Sequence, residues 1–525
     1  MLHWFRPHFP ERRPRPATRP SSRFHPRLEL LEGRTVPAAP IVVSNLNDAG
    51  MGSLRQAVAD ANTAPGPDII TFQPGLAGTI TLLTGQMVVT DAVDIQGPGA
   101  NLITISGNNA FRMFVINDNK SQQINVAMSG LTLTHGFLSG GGGGAIAVLD
   151  EVLILSGMVI TGNQILGGGG GIDIENGALA TIQNCTISGN SAPAVGGAII
   201  VNNASSLTVR NSTISGNTGF LGGGIFVANG STLVAENCTI SGNSAPGSGG
   251  GVAFQGDTAT IRNCTIAFNK ADSDDNGGGI GGGIFVGLGS VSLQSSIVGH
   301  NSVGASGTKP DISGTVTATF SLVENPTGTI FAAGSAANIT GADPRLGPLQ
   351  NNGGVTATHA LLAGSPAINA GSNTNALAAD QRGPGFLRAA GASVDIGAFE
   401  VQSVLPFTDQ ALHTATQLIQ FLQLSGTRLM GAAFGDVNND STNDLALVFR
   451  RRSGRLLVVT LNGANGQTLA VFTPFPAKLS ASARLRLVML DLIGDAAAEI
   501  ALLVTNGGPG VPRISVFGGT GVRIL

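Results

Sequence analysis

Asp173 and Glu175 stand two residues apart in the run Ile172-Asp-Ile-Glu175. In an extended strand that spacing puts both carboxylates on one side, about 7 Å apart, which suits paired-carboxylate glycoside hydrolysis. Such chemistry also needs groups that grip the sugar. The equivalent positions in neighbouring segments are Ala147, Ile200, Phe226, Ala253 and Phe285. These supply neither acids nor bases, so the pair reads as solvated surface and no catalytic residue is assigned. The apolar row of Ile200, Phe226 and Phe285 is either a binding strip or a place where a neighbouring segment packs. A different chemistry is offered by Phe434-Gly-Asp-Val-Asn-Asn-Asp-Ser-Thr-Asn-Asp444. Asp436, Asn438, Asp440 and Asp444 fall at positions 1, 3, 5 and 9 of a tight loop and can converge on calcium, a hard ion that takes oxygen ligands. The run Asp272-Ser-Asp-Asp-Asn-Gly277 matches the first half of an EF-hand loop, but Gly283 stands where the bidentate glutamate belongs, so an acidic surface loop is expected. His359, Asp380, Arg382 and Asp395 are expected to pin loops through buried hydrogen bonds.

The elements that carry these residues are repeats. NCTISGN at Asn184 to Asn190 returns as NSTISGN ending at Asn217, NCTISGN ending at Asn243 and NCTIAFN ending at Asn269. The closing asparagines from Asn163 to Asn269 are 27, 27, 26 and 26 residues apart, Asn301 follows after 32, and a Gly-Gly-(Gly/Ala)-Ile/Val phrase keeps the same step. Two phrases locked to one period mean a structural repeat. Within each unit apolar and polar residues alternate over runs too short for helices, which predicts strands. A unit of this length with Gly and Asn at its corners fits one coil of a right-handed parallel β-helix, about nine coils from near residue 80 to 330. Ile187, Ile214, Ile240 and Ile266 should stack inside, and corner asparagines can bond up the ladder. Asn108 and Asn325 keep the register and extend it. Cys185, Cys238 and Cys264 share one repeat position and read as inward fillers, with a Cys238 to Cys264 disulfide as the alternative.

Composition agrees. Glycine numbers 77 in 525 residues and charged residues make up only 11%, as expected where a repeated charge would face its like on the next coil. Net charge is −3, tyrosine is absent and Trp4 is the only tryptophan. The basic run Arg450 to Arg452 lacks aromatic stacking partners, so no nucleic-acid partner is expected. No apolar run is long enough for a membrane-spanning helix.

Residues 1–40 are rich in arginine and proline and should be disordered, either a targeting leader or a basic tail for any polyanion. Their phrase Pro26-Arg-Leu-Glu-Leu-Leu-Glu-Gly-Arg-Thr-Val-Pro-Ala38 resembles the leader of many planctomycete surface proteins, which implies export. Residues 41–130 open with Ser53-Leu-Arg-Gln56, a capping box before a short helix that should cover the first coil. This passage, with ProGlyProAspIleIle70 and GlnGlyProGlyAla100, resembles the CSLREA-type domain that precedes β-helices in secreted bacterial proteins. The repeats proper occupy 131–330 and are similar to those of polymorphic outer-membrane proteins. A tyrosine-free chain lacks the aromatic girdles of their barrels, so self-insertion is not expected. Residues 331–403, with AspProArgLeuGlyProLeuGlnAsnAsnGlyGly354, AspGlnArgGly383 and ValAspIleGlyAlaPheGlu400, resemble the choice-of-anchor Q domain of proteins held at the cell surface. Bottom-up, they read as loops folded over the final coil. A linker, 404–430, leads to 431–525, where the Asp436 loop and its flanking strands resemble two FG-GAP or VCBS repeats in a small antiparallel β domain. Ser441 departs from the usual glycine, and the second copy has Ile493 at a ligand position. Two repeats cannot close a propeller, so this is a remnant or part of a longer architecture. The expectation is an exported, non-enzymatic cell-surface or outer-membrane-associated protein of adhesin-like type, partnered by an extracellular polysaccharide or protein. The alternative is a secreted polysaccharide-degrading enzyme.

Overall fold

Each repeat unit makes one coil with four short strands and four corners. In one coil the first face is Ile172–Glu175, the second Leu179–Gln183, the third Thr186–Ser188 and the fourth Ser191–Val195. Every strand pairs in parallel with its counterpart one unit on, Ile172 with Ile199, Ile182 with Val209, Ile187 with Ile214. The computed structural model describes residues 39–402 except positions 65, 305–309 and 392, and further along seven strands between 427 and 517. The arginine-rich leader and calcium ligands Asp436, Asn438 and Asp440 lie outside the described residues, while Asp444 opens the strand Asp444–Arg451.

The third face alone runs to 11 strands, and the first and second join into one sheet through Ile312–Thr319, which pairs along both. Because side chains alternate along a strand, one residue of each pair points inward. Ile187, Ile214, Ile240 and Ile266 form the expected aliphatic column, all fully buried, within a continuous core from Val43 to Val323. The solenoid starts earlier than the repeat phrases indicate, since Ile41–Val43 already pairs in parallel with Asp68–Phe72. Those first coils lack the Asn and Gly phrases, and only the long-range pairing reveals them. The helix Leu54–Ala61 lies against them as a cover, with Leu54, Ala57, Val58 and Ala61 buried. Ser53 Oγ accepts the Gln56 N–H, but the Gln56 side chain turns to Asp60, so only half of the capping box forms.

The corner between the third and fourth faces holds the coils in register. Asn163, Asn190, Asn217, Asn243, Asn269 and Asn301 are buried, and the Oδ1 of each later asparagine accepts both the backbone N–H and the Nδ2–H of the one before, at 2.9–3.1 Å. Each Nδ2 also donates to a third-face carbonyl, as Asn217 does to Ile187 at 3.0 Å. Neither Asn108 nor Asn325 joins. Asn108 is exposed, and after Asn301 the next rung is Asp311, whose Oδ1 takes both Asn301 donors while Oδ2 accepts the Asn325 N–H. Close approach decides the adjoining glycines: a Cβ on Gly197 would fall 2.2 Å from the Gly223 carbonyl.

Cys185, Cys238 and Cys264 are buried free thiols, and burial pushes Cys185 up to about 12. They share a column of small groups with Ser212 and Ser296, Ser212 Oγ accepting the Cys185 N–H and Ser296 Oγ the Cys264 N–H. Beyond the solenoid, a four-stranded antiparallel sheet spans Thr427–Phe472 and a three-stranded one spans Arg484–Phe517. Among the described residues no helix is long and apolar enough to cross a membrane.

Asn217→Ala strips two buried donors of their acceptor and leaves the Ile187 carbonyl without its side-chain donor. A loss of about 3 kcal/mol or more in denaturant unfolding is expected, and a change below about 1 kcal/mol would mean that the ladder is not a principal restraint.

Candidate binding face and acidic cleft

On the third face the outward positions form two columns, polar except at Val159. One runs Thr79, Thr104, Thr132, Val159, Thr186, Thr213, Thr239, Thr265, the other Thr81, Ser106, Thr134, Thr161, Ser188, Ser215, Ser241. The two halves of these columns have different fates. Residues 345–402 do not fold over the final coil as expected. They turn back along the third face and cover it from Asn211 to Leu322, placing Leu346, Leu361, Ala367 and Ile396 on Ala267, Ile297 and Leu322. Under this lid the hydroxyls are spent inside the molecule. Thr213 Oγ1 donates to the Ala357 carbonyl at 2.6 Å, Thr239 Oγ1 to Gln381 Oε1 at 2.6 Å, and Thr265 Oγ1 accepts the Ala398 N–H. Ser241 bonds His359 Nε2 at 2.8 Å, while Nδ1 of the same ring meets the Gly347 carbonyl. A carbonyl only accepts, so Nδ1 carries the proton and Nε2 accepts from Ser241. Burial depresses this imidazole's pKa, which keeps it neutral. In the N-terminal half, Thr81 to Ser188 stay partly open to solvent.

The lid's charged residues pin loops. Arg382 pairs with Asp380 at 2.6 Å, donates to the Glu400 carbonyl and lies about 4 Å from the ring centroids of Phe386 and Phe399. Asp395 accepts the N–H groups of Asn369 and Val401. The Asp272 loop is closed on itself too, Asp272 Oδ1 accepting from Gly277 and Gly278.

The first face corrects the expectation of a solvated carboxylate pair. Glu175 is half-buried, but Asp173 is 3% exposed and lies beneath the preceding glycine corner, so close that a Cβ on Gly142 would fall 1.7 Å from its Oδ2. The row it belongs to is covered as well: Ile200, Phe226 and Ala253 are buried against Val195 and Leu221 of the fourth face. This row is where a neighbouring segment packs, and the neighbour is the coil's own corner. With Asp173 buried, the two carboxylates are not displayed to solvent as a pair.

An acidic cleft of about 570 Å³ opens elsewhere, at the third-to-fourth corner of the last coils, lined by Phe268, His300, Ser302, Asp311, Glu324 and Asp343 among others. Burial raises Asp311 to about 7, against the pull of the N–H groups of Asn301 and Asn325. His300, Glu324 and Asp343 belong to no common motif in the sequence. The available signal was that NCTIAFN and the Gly-His-Asn301 phrase replace the small corner residue of the repeat.

Residues 152–340 match the family model described as right handed beta helix region. The solenoid is a right-handed β-helix. No curated protein matches the chain. A solved chain from Geobacillus virus E2, ORF18, aligns over 87% of this chain and 84% of its own at 10% identity, with a TM-score of 0.36, a likeness too loose to bear on fold or function.

Within the β-helix, burial first and Glu175 second push Asp173 up to about 8, with Arg112 pulling the other way. The unfolded carboxyl titrates near pH 4, so between these values the folded protein holds a proton that the unfolded chain has released. Stability from this group is then fullest below about pH 4 and is lost as the pH rises towards 8. Asp173→Asn keeps the neutral shape, so its stability relative to the parent should grow between melts at pH 5 and pH 8. A difference independent of pH would show that Asp173 is ionised in the folded state.

Proposed function

We propose that this β-helix is an exported, non-enzymatic surface protein that binds an extracellular polysaccharide or protein through shallow, repeated contacts. The supporting observation is the uncovered half of the third face, where Thr81, Ser106, Thr134, Thr161 and Ser188 follow one another on five successive coils. Parallel strands set these hydroxyls about 4.8 Å apart. Each can donate and accept, so a polymer with its own repeat meets the same chemistry at every coil and gains by multivalency rather than by any single strong contact. The covered half supports this reading, because hydroxyls of the neighbouring column there bond Ala357, Gln381 and Ala398 of the lid. Export and retention at the surface rest on the resemblance of the leader, the CSLREA-type passage and the choice-of-anchor Q-type segment. We place calcium, also as a proposal, in the loop of Asp436, Asn438, Asp440 and Asp444. Chelator should lower the melting transition of the C-terminal sheets in calorimetry of the full chain, and an unchanged trace would dismiss the site.

Purified protein is incubated with pectins, alginates and neutral glycans, and both retention and new reducing ends or unsaturated sugars are measured. Retention without product is expected. Thr134→Arg with Thr161→Arg should weaken it about tenfold or more by breaking the column, while Asp173→Asn and Glu175→Gln leave it unchanged. The polysaccharide-degrading alternative draws on one observation, the carboxylates of Glu324 and Asp343 in an open cleft. Product formation abolished by Glu324→Gln would put that reading in place of ours.

A further inference from the structure

In four coils the residue before the ladder asparagine is glycine, Gly162, Gly189, Gly216 and Gly242, with φ of 63–65°. The next two coils put Phe268 (φ 58°) and His300 (φ 56°) there. A left-handed backbone disfavours bulky L-residues, and here it sets the two rings side by side, their centroids 5.0 Å apart and their planes 26° from parallel. The stacked imidazole is held at its edges by two carboxylates: Nδ1 lies 3.2 Å from Glu324 Oε2, and Nε2 lies 3.3 Å from Asp343 Oδ1. Glu324 Oε2 also accepts the His300 backbone N–H, which fixes it in place. Asp343 lines the cleft with its side chain 60% exposed, and its Oδ1 is held in place by the Arg345 backbone N–H at 2.7 Å. Asp311, Glu324 and Asp343 line that cleft and no Lys or Arg does.

We propose that the cleft binds a divalent transition-metal ion of the zinc class, with His300 Nε2 and Asp343 as protein ligands and water or a bound oxygen ligand completing the shell. An N···O separation of 3.3 Å is the edge that two bonds of about 2.1 Å span at a four-coordinate ion. A metal on Nε2 leaves the ring proton on Nδ1, which lies 3.2 Å from Glu324 Oε2, the arrangement in which a carboxylate behind a ligating histidine strengthens it. A nitrogen-and-carboxylate donor pair favours zinc-class ions over calcium, so this site differs in chemistry from the Asp436 loop. Its donor atoms, with that of Glu324, all lie within 4.8 Å of one another, the only such group among the described residues. The site does not depend on what the uncovered third face binds.

The full chain, stripped with chelator and held in excess Ca²⁺, is titrated with Co²⁺ and then Zn²⁺ while the visible spectrum and the melting temperature are followed. One equivalent of Co²⁺, displaced by Zn²⁺, and a Zn²⁺-dependent rise in melting temperature are expected. His300→Gly restores the residue of the other corners. It should melt at or above the metal-free parent and lose both the cobalt spectrum and the zinc response. Glu324→Gln should weaken binding 10–100-fold or so as an orienting partner does, and Asp343→Asn about tenfold or more. Unchanged Zn²⁺ affinity in folded His300→Gly, or no cobalt spectrum in the parent, would overturn the proposal.

Discussion

From Asn163 to Asp311 the coils of this β-helix lean on a buried column of side-chain amides between the third and fourth faces. A buried polar group must be paired, and a carboxamide accepts on one atom and donates from the other, so the pattern can be copied from coil to coil. Asn190 uses all of its capacity in this way, accepting two donors from Asn163 and giving its own to Asn217 and to the Ile160 carbonyl. Such a column needs an end that only accepts. Asp311 supplies it, receiving both donors of Asn301 on one oxygen and the Asn325 N–H on the other. The carboxylate at the last rung is thus the chemical terminator of the amide stack, and burial raises its pKa against the N–H groups of Asn301 and Asn325 that it accepts.

The same repetition that builds the core presents each coil with the problem of its outward rows. On the first face apolar residues are hidden by the glycine corner folding back, and Asp173 is hidden with them. On the third face polar residues are hidden by the chain's own return, residues 345–402, whose hydrogen bonds to Thr213, Thr239, Thr265 and Ser241 replace water at each. What is left for a partner is therefore set by where the lid stops, near Asn211.

Departures from the repeat mark the other surface with chemical character. Phe268 and His300 occupy a backbone conformation that four earlier coils give to glycine. The stack they form, with His359 of the lid 5.0 Å from Phe268 on another side, joins solenoid and lid at the acidic cleft. A repeat protein gains a distinct site by breaking its own rule at neighbouring coils, since an unbroken column offers the same group everywhere.

Periodicity alone determined the coil length, the parallel stacking, the inward column of Ile187, Ile214, Ile240 and Ile266, and the asparagine ladder, because these are nearest-neighbour relations that recur in the chain at one spacing. The N-cap at Ser53 and the buried face of Leu54, Ala57, Val58 and Ala61 were legible for a similar local reason. The first coils were not, since Ile41–Val43 and Asp68–Phe72 carry no shared phrase and are joined only by their pairing. Nor could spacing tell that Asp173 is covered, that Thr213 is buried while Thr161 is not, or that His300, Glu324 and Asp343 meet. Each depends on a segment remote in sequence or on how tightly a corner folds over its neighbour. Contacts of that kind leave no period in the chain, and the tertiary structure alone decided them.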